Sequence, residues 1–194
     1  MQTIGLIGGM SWESSLEYYR IINETVKRQL GSAHSAKCIL YSVDFAEIEQ
    51  LQHQAQWETL TRKMIQIAKS LEKAGADLIL ICTNTMHLMA EAVQENINIP
   101  LLHIVDVTAE HIKKQKLEKV GLLGTKFTME EEFYRGRLAN KYGLEIIIPE
   151  PRAREYIHNA IYCELCQGKI NSATKKEFIK IISIFSIHEP YFSS

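Results

Sequence analysis

The chain has 194 residues, of which 46% are hydrophobic and 23% are charged, and its formal net charge at pH 7 is -1. This composition predicts a globular protein with one large or two small domains and excludes a disordered chain. The balanced charge, without a lysine or arginine cluster, argues against nucleic acid or an acidic membrane surface as the main partner. No apolar stretch approaches the roughly 20 residues that a transmembrane helix needs.

The N-terminal residues contain neither a basic region nor a cleavage pattern, so the sequence predicts no secretory signal. We therefore expect a cytoplasmic protein. In such a compartment free thiols are expected rather than a disulfide framework. The cysteines concerned are Cys38, Cys82, Cys163 and Cys166.

The chain opens with a pattern that predicts a strand, a glycine-containing loop and a helix. The strand covers residues 3–7, and a capping box at Ser14 and Glu17 is predicted to start a helix that ends near Leu30. The glycine spacing does not match the dinucleotide fingerprint. A backbone nest for a small anion is the better interpretation of this loop.

The alternation of strands and helices continues, which predicts a parallel sheet with right-handed crossovers. Strands are expected at residues 38–43, 78–81 and 99–104, and helices at residues 57–74, 86–93 and 106–116. Residues 119–125 then repeat the opening theme of a short apolar strand followed by a glycine loop. A second capping box is predicted at Thr128 and Glu131.

This repetition predicts an internal duplication, with a first α/β domain at residues 1–104 and a second at residues 105–194. In the second half we expect a strand at residues 144–148, a helix at 152–166 and a helix from Thr174 onward. A further strand should follow that helix by analogy with the first half, but the pattern stops at about residue 182. The second domain is therefore expected to be incomplete at its C-terminus.

Cys82 is the strongest candidate for a functional residue. It lies where a buried strand ends and a helix begins, which is where open α/β sheets bind ligands. A helix N-terminus favours a thiolate, and the side chains of Thr83, Asn84 and Thr85 are suited to capping the helix and binding a carboxylate. The alternative is that Cys82 is a small buried hydrophobic residue, as most free cysteines are.

The remaining candidates are weaker. Cys163 and Cys166 have the spacing of a redox or metal pair, but they fall inside a predicted helix and no second pair completes a zinc site. His87 follows Cys82 closely and is expected either to tune the thiolate or the substrate site, or to pack in the helix. No metal ligand set is predicted.

Three motifs together resemble the aspartate/glutamate racemase family: GGMSWES at residues 8–14, CTNTMH at residues 82–87 and LLGT at residues 122–125. The resemblance implies a cofactor-independent amino-acid racemase with two similar α/β domains that face a shared cleft. One cysteine from each domain would flank the substrate Cα. Two groups are needed because inversion through a carbanion removes a proton on one face and returns it on the other.

The resemblance assigns Cys82 to the first catalytic thiol and implies a dicarboxylic amino acid as the substrate. It places in the substrate site the polar and flexible residues Met10, Ser11, Gln52, Thr83, Asn84, Thr85, Thr125 and Thr128. The second thiol belongs to a Gly-Cys-Thr-Glu motif, which this sequence lacks.

The missing motif leads to three expectations. The chain would exchange the Cα hydrogen on one face at most, unless His188 or Glu189 from the tail replaces the thiol. Alternatively, it is a non-catalytic amino-acid-binding or truncated remnant, in which an uncovered sheet edge favours a homodimer. A third interpretation is one-thiol chemistry, such as decarboxylation of a malonate-like acid.

Overall fold

The computed structural model describes residues 1–31 and 33–187. The chain divides into two compact units, Met1–Ile104 and Val105–Ser194. Both contain helices and parallel strands, which confirms the predicted α/β fold class. Among the helices of the described residues, none combines the length and the apolar character needed to cross a membrane.

The first unit alternates strands and helices along most of its length. Its described elements are, in chain order, β1 (Thr3–Gly8), α1 (Trp12–Leu30), β2 (Lys37–Ser42), α2 (Phe45–His53), α3 (Trp57–Lys73), β3 (Leu78–Ile81), a 3-10 turn (Thr85–Met89) and α4 (Ala90–Gln94). The predicted helix at residues 86–93 is thus a 3-10 turn continued by a short α-helix.

The sheet of the first unit has β1 at its centre, in the order β2-β1-β3, with all strands parallel. The predicted strand at residues 99–104 is wrong. Only Leu101 pairs, through an isolated bridge to Ile79, and the next helix already begins at Ile104. Ile99 and Leu101 are only partly buried against the core and Leu102 is exposed, so the apolar character of this segment does not mark a full strand.

Helix α3 shows why the core of this unit forms. Its buried residues recur at helical spacing, so that one face is apolar while the other remains in solvent. That face packs in a cluster with residues of β1, β3, α2 and α4, whose fully buried members include Ile7, Ile48, Leu60, Met64, Ile79, Met86 and Val93. Close packing of this kind holds strands β1 and β3 in fixed positions against α3.

The second unit is also built from parallel strands and helices. Its described elements are, in chain order, α5 (Ile104–Lys114), which starts at the last residue of the first unit, β4 (Lys119–Gly121), α6 (Lys126–Glu130), a π-helical turn (Arg137–Lys141), β5 (Glu145–Ile147), α7 (Pro151–Cys163), a 3-10 turn (Leu165–Gln167) and α8 (Ser172–Ile187). Strands β4 and β5 pair in parallel. A small core forms around Met129, Ile157 and Ile181.

The predicted capping boxes at Ser14 and Thr128 are wrong, and so is the predicted helix start at Thr174. Helices α1, α6 and α8 begin at Trp12, Lys126 and Ser172, two residues before these positions. The hydroxyl of Ser14 donates instead to a carbonyl on another element, and that of Thr174 donates to Glu164 at 3.0 Å. A hydroxyl in the first turn of a helix can bond outside its own helix, and the local sequence does not show that partner.

The predicted end of the second half falls partly outside the described residues. Helix α8 continues past residue 182 to Ile187. The expected absence of a following strand, and the tail residues His188 and Glu189, lie outside the described residues.

Candidate active site

The candidate site of the first unit is built on the ends of two adjacent parallel strands. Ile7 of β1 is in register with Ile81 of β3, and the N–H of Cys82 donates to the Ile7 carbonyl at 2.9 Å. The glycine loop after β1 and residues 82–84 after β3, termed here the Cys82 loop, therefore leave the sheet at the same edge. Carboxyl ends of parallel strands are the usual ligand sites of α/β sheets.

The Cys82 thiol is fully buried, and this burial controls its ionisation. Removal from water raises the pKa of Cys82 to about 12, with a smaller contribution from Cys38. The expectation of a stabilised thiolate is therefore wrong for this structure. The helix that follows begins as a short 3-10 turn. At neutral pH Cys82 is a thiol and thus a proton donor.

Two side chains bind consecutive carbonyl oxygens of the Cys82 loop. The hydroxyl of Ser14 donates to the Cys82 carbonyl at 2.8 Å, and Nδ1 of His87 lies 2.8 Å from the Thr83 carbonyl oxygen. In a trans peptide the N–H points away from the carbonyl of the same unit. The Thr83 N–H consequently points away from Ser14, and the Asn84 N–H points away from His87.

Those N–H groups make the Cys82 loop suitable for an anion. Within the described part of the chain, neither the Thr83 nor the Asn84 N–H donates to a backbone carbonyl. Asn84 is exposed, Thr83 is half-buried and Thr85 is buried. The predicted capping by Asn84 is not observed, because its side chain makes no capping hydrogen bond to the 3-10 turn.

The glycine loop after β1 is held by Ser15 of α1. The N–H of Gly9 donates to the Ser15 hydroxyl at 2.8 Å, and this hydroxyl lies 3.2 Å from the carbonyl oxygen of Ser11, to which it donates. Gly9 has φ +87°, and a Cβ there would lie 2.4 Å from the Val43 carbonyl oxygen. Only glycine fits this position, because any side chain would collide with the backbone of Val43.

Two predicted substrate residues lie in the core beneath the Cys82 loop. Met10 and Gln52 are 4% and 5% exposed, and Nε2 of Gln52 donates to Sδ of Met86 at 3.3 Å. Met10 belongs to the same apolar cluster as Met86. Both residues therefore support the 3-10 turn that follows the loop. Ser11 is also buried, at the start of α1.

The second unit repeats the arrangement of strand, glycine and hydroxyl cap. Thr125 caps α6, and its Oγ1 accepts from the Thr128 N–H at 3.3 Å. The Thr128 side chain is buried, and a Cβ on Gly124 would lie 2.9 Å from its Cγ2. The assignment of Thr125 and Thr128 to a carboxylate-binding loop stays a prediction.

Within residues 1–31 and 33–187, the other cysteines and histidines do not form a recognisable centre. Cys163 at the end of α7 is exposed, and Cys166 in the following 3-10 turn is half-buried. Among the described residues, no group of three or more histidine, cysteine, aspartate or glutamate side chains is placed to hold a metal ion. His103 lies against His87, with ring centroids 4.8 Å apart.

Sequence reasoning missed two groups that the structure makes prominent. Ser14 was interpreted as a helix cap, although its position on α1, beside the strand that precedes the Cys82 loop, allows a contact across the sheet. In the second unit, Asp106 of α5 accepts two hydrogen bonds from the Arg137 guanidinium at 2.7 and 2.8 Å. The sequence signal for that ion pair is an aspartate among the apolar residues of the first turn of α5.

Comparison with known proteins identifies racemases, both by a family model and by solved structures. The family model described as Asp/Glu/Hydantoin racemase matches residues 7–185. The crystal structure of a candidate Asp/Glu racemase from Yersinia pestis is 51% identical, has a TM-score of 0.88, and is matched over 96% of this chain and 81% of that chain. An aspartate racemase homologue from Pyrococcus horikoshii is 38% identical, with a TM-score of 0.74 over 87% of this chain and 74% of that chain.

A curated relative is similar over a large part of the chain. The broad specificity amino-acid racemase RacX of Bacillus subtilis is 27% identical over 149 residues, which is 74% of this chain. The match spans 63% of the length of that relative.

Proposed function

Because this chain belongs to the Asp/Glu/hydantoin racemase family, we propose that it binds a dicarboxylic amino acid, aspartate or glutamate, and exchanges the Cα hydrogen through Cys82. The observation that carries the proposal is the position of the Cys82 thiol at the end of β3, in the same loop as the N–H groups of Thr83 and Asn84, whose peptide carbonyls are bound by Ser14 and His87. The similarity to an aspartate racemase homologue supports the choice of an acidic substrate.

The proposed chemistry uses groups of this chain and no cofactor. The N–H groups of Thr83 and Asn84, with the side chains of Asn84 and Thr85, bind the α-carboxylate by donating hydrogen bonds to it. A nearby cation lowers the pKa of a thiol, so the ammonium group of the bound substrate would shift Cys82 towards the thiolate that removes the Cα proton. The developing carbanion is stabilised by fixed donors in a site from which water is excluded.

One thiol acts on one face of the substrate. A Cys82 thiolate takes the Cα proton, the thiol exchanges with solvent, and the same thiol returns a hydron to the same face. Inversion needs a second group on the opposite face. None of the cysteines in this sequence lies in a Gly-Cys-Thr-Glu motif. We therefore expect deuterium incorporation with retention of configuration rather than efficient racemisation.

The test is incubation of L- and D-aspartate, and of L- and D-glutamate, separately in D2O. Proton NMR follows loss of the Cα hydrogen, and chiral chromatography follows configuration. We expect deuteration of one enantiomer with little inversion. Cys82→Ala should abolish exchange, whereas Cys163→Ala, which removes an exposed thiol, should leave it unchanged. Exchange that persists in Cys82→Ala contradicts the role of Cys82, and equal inversion in both directions contradicts the one-face mechanism.

A binding function without turnover is favoured by one observation, the complete burial of the Cys82 thiol, which raises its pKa. If the substrate ammonium does not lower that pKa enough, ligand binding would proceed without proton transfer. Thermal unfolding with and without aspartate or glutamate separates the two cases. A rise in the unfolding temperature without deuteration supports a binding protein, and the absence of any rise contradicts both.

The same protonated thiol also suits a decarboxylation. Loss of CO2 from a malonate-like acid leaves a carbanion that needs one proton, which the Cys82 thiol can donate before it is reprotonated by water. Release of CO2 from substituted malonates, lost in Cys82→Ala, would support this alternative. Absence of release excludes it.

A further inference from the structure

His87 is nearly fully buried, with 2% of its surface exposed, and both ring nitrogens contact backbone groups. Nδ1 lies 2.8 Å from the Thr83 carbonyl oxygen, and Nε2 lies 3.2 Å from the N–H of Ile104. The sequence left open whether this histidine tunes the thiolate or the substrate site, or only packs. The directions of its two hydrogen bonds decide between these roles.

The two backbone partners determine where the proton of the ring resides. A carbonyl oxygen only accepts, so Nδ1 must carry the hydrogen and donate to Thr83. A backbone N–H only donates, so Nε2 must present its lone pair to Ile104. The two contacts are compatible with one form alone, the neutral imidazole protonated at Nδ1. A protonated Nε2 would place two donors against each other at Ile104.

Ser14 binds the preceding peptide unit. Its hydroxyl donates to the Cys82 carbonyl at 2.8 Å from α1, whereas His87 approaches the Thr83 carbonyl from the 3-10 turn. Two successive peptide planes are therefore held by side chains from two different elements. Their N–H groups, on Thr83 and Asn84, point away from these side chains, because the peptides are trans.

We propose that His87 is a positioning residue, which as the neutral Nδ1–H tautomer acts with Ser14 to orient the Thr83 and Asn84 N–H groups for a carboxylate. The carboxylate ligand rests on the proposed function, whereas the tautomer and the hydrogen bonds do not. His87 then affects the reaction through the backbone of the Cys82 loop rather than by exchanging protons with the thiol. It also links this loop to Ile104, the last residue of the first unit.

The first arm of the test needs no ligand. Nitrogen NMR of the wild-type protein at neutral pH should show His87 with Nδ1 protonated and Nε2 unprotonated. Hydrogen exchange should show that the Ile104 amide is protected in the wild type. Its exchange should be about tenfold faster in His87→Asn and in His87→Ala, as expected for one lost hydrogen bond, but unchanged in Ser14→Ala. An imidazolium, an Nε2–H tautomer, or an Ile104 amide that is indifferent to both variants overturns the proposal.

The second arm measures binding of aspartate and glutamate by calorimetry. Ser14→Ala and His87→Ala should each weaken binding about tenfold, since each frees one peptide plane of the loop. His87→Asn should bind within about threefold of the wild type, because its amide nitrogen can occupy the place of Nδ1 and donate to Thr83. Rescue by asparagine separates a backbone contact from general packing.

Matched controls come from residues of the same types elsewhere. Ser70→Ala removes a hydroxyl that donates to a carbonyl within α3, and His111→Ala removes an exposed histidine on α5. Both should bind like the wild type. Wild-type affinity in His87→Ala contradicts the positioning role. If the wild type binds neither amino acid, the proposed function fails. The NMR and exchange results still decide whether His87 holds the Cys82 loop as the neutral Nδ1–H tautomer.

Discussion

The hydroxyl of Ser14 donates a hydrogen bond of 2.8 Å to the carbonyl oxygen of Cys82, across 68 positions of sequence. It joins the first turn of α1 to the loop that follows β3. Both elements leave the sheet at the same edge, because β1 and β3 are parallel neighbours. This contact makes the start of α1 part of the support of the candidate catalytic loop.

The first prediction concerns the reactivity of the two thiols that differ most in exposure. With its pKa raised to about 12, Cys82 holds a thiolate fraction at neutral pH on the order of a thousandfold below that of a thiol of pKa about 8.5. Burial further hinders the reagent. We expect iodoacetamide to modify exposed Cys163 at least about a hundredfold faster than Cys82 at pH 7.5. Peptide mass spectrometry measures both rates, and equal rates would contradict the buried thiol.

The second prediction concerns stability at alkaline pH. The pKa of Cys82 is about 12 in the folded protein and about 8.5 in an unfolded chain, so the folded state binds the proton more tightly. The stabilisation is complete below about pH 8.5, and it is lost as the pH rises towards 12, with a slope of up to roughly 1.4 kcal/mol per pH unit. Urea unfolding of wild type and Cys82→Ala should therefore converge at high pH.

Other groups also titrate in this range, so the comparison needs a control. Burial raises the pKa of Tyr134 as well, and this contribution remains in every variant. Cys163→Ala should show the same alkaline slope as the wild type. A slope that Cys82→Ala does not reduce would contradict the assigned ionisation.

The third prediction concerns the glycine loop. Gly9→Ala forces a Cβ to within 2.4 Å of the Val43 carbonyl oxygen at φ +87°. Gly75→Ala is the matched control, with φ +94° but no atom within 4 Å of the added Cβ. We expect Gly75→Ala to cost about 1–2 kcal/mol for the left-handed backbone. Gly9→Ala should cost at least about 2 kcal/mol more in chemical unfolding, and equal costs would contradict the close approach.

The fourth prediction concerns the ion pair of the second unit. The Arg137 guanidinium, with a weaker contribution from Lys141, holds the pKa of Asp106 well below its usual range. The pair therefore stabilises the unit above about pH 4, the ordinary value for aspartate, and the stabilisation is lost as the pH falls below it. The Asp106 side chain is 24% exposed, so we expect Asp106→Asn to cost about 1–2 kcal/mol at pH 7.

Glu110→Gln serves as the control for this pair, since it removes an exposed carboxylate from the same helix. It should leave the unfolding free energy within about 0.5 kcal/mol of the wild type. In acid titrations of unfolding, Asp106→Asn and wild type should converge progressively as the pH falls below about 4 and through the lowered folded-state pKa of Asp106. A constant difference across the pH range would show that the loss is not electrostatic.

Much of the first unit could be predicted from local patterns. The apolar run of β3 matches residues 78–81, and the amphipathic period of α3 gives its start at Trp57. The strand prediction at residues 99–104 was wrong because a short apolar segment has the same hydrophobic pattern whether all of its residues pair or only one, here Leu101. Period and composition report burial, whereas pairing depends on a neighbour that is distant in sequence.

The sequence by itself determined that Cys82 follows a buried strand and precedes a helical turn, because strand burial and helix periodicity are local properties of the chain. The tertiary structure decided that the thiol is protonated and that Ser14 and His87 hold the loop around it. Desolvation of a sulfur and the direction of a hydrogen bond both depend on groups that only folding brings together. For that reason the position of the candidate catalytic residue was predictable, and its protonation state was not.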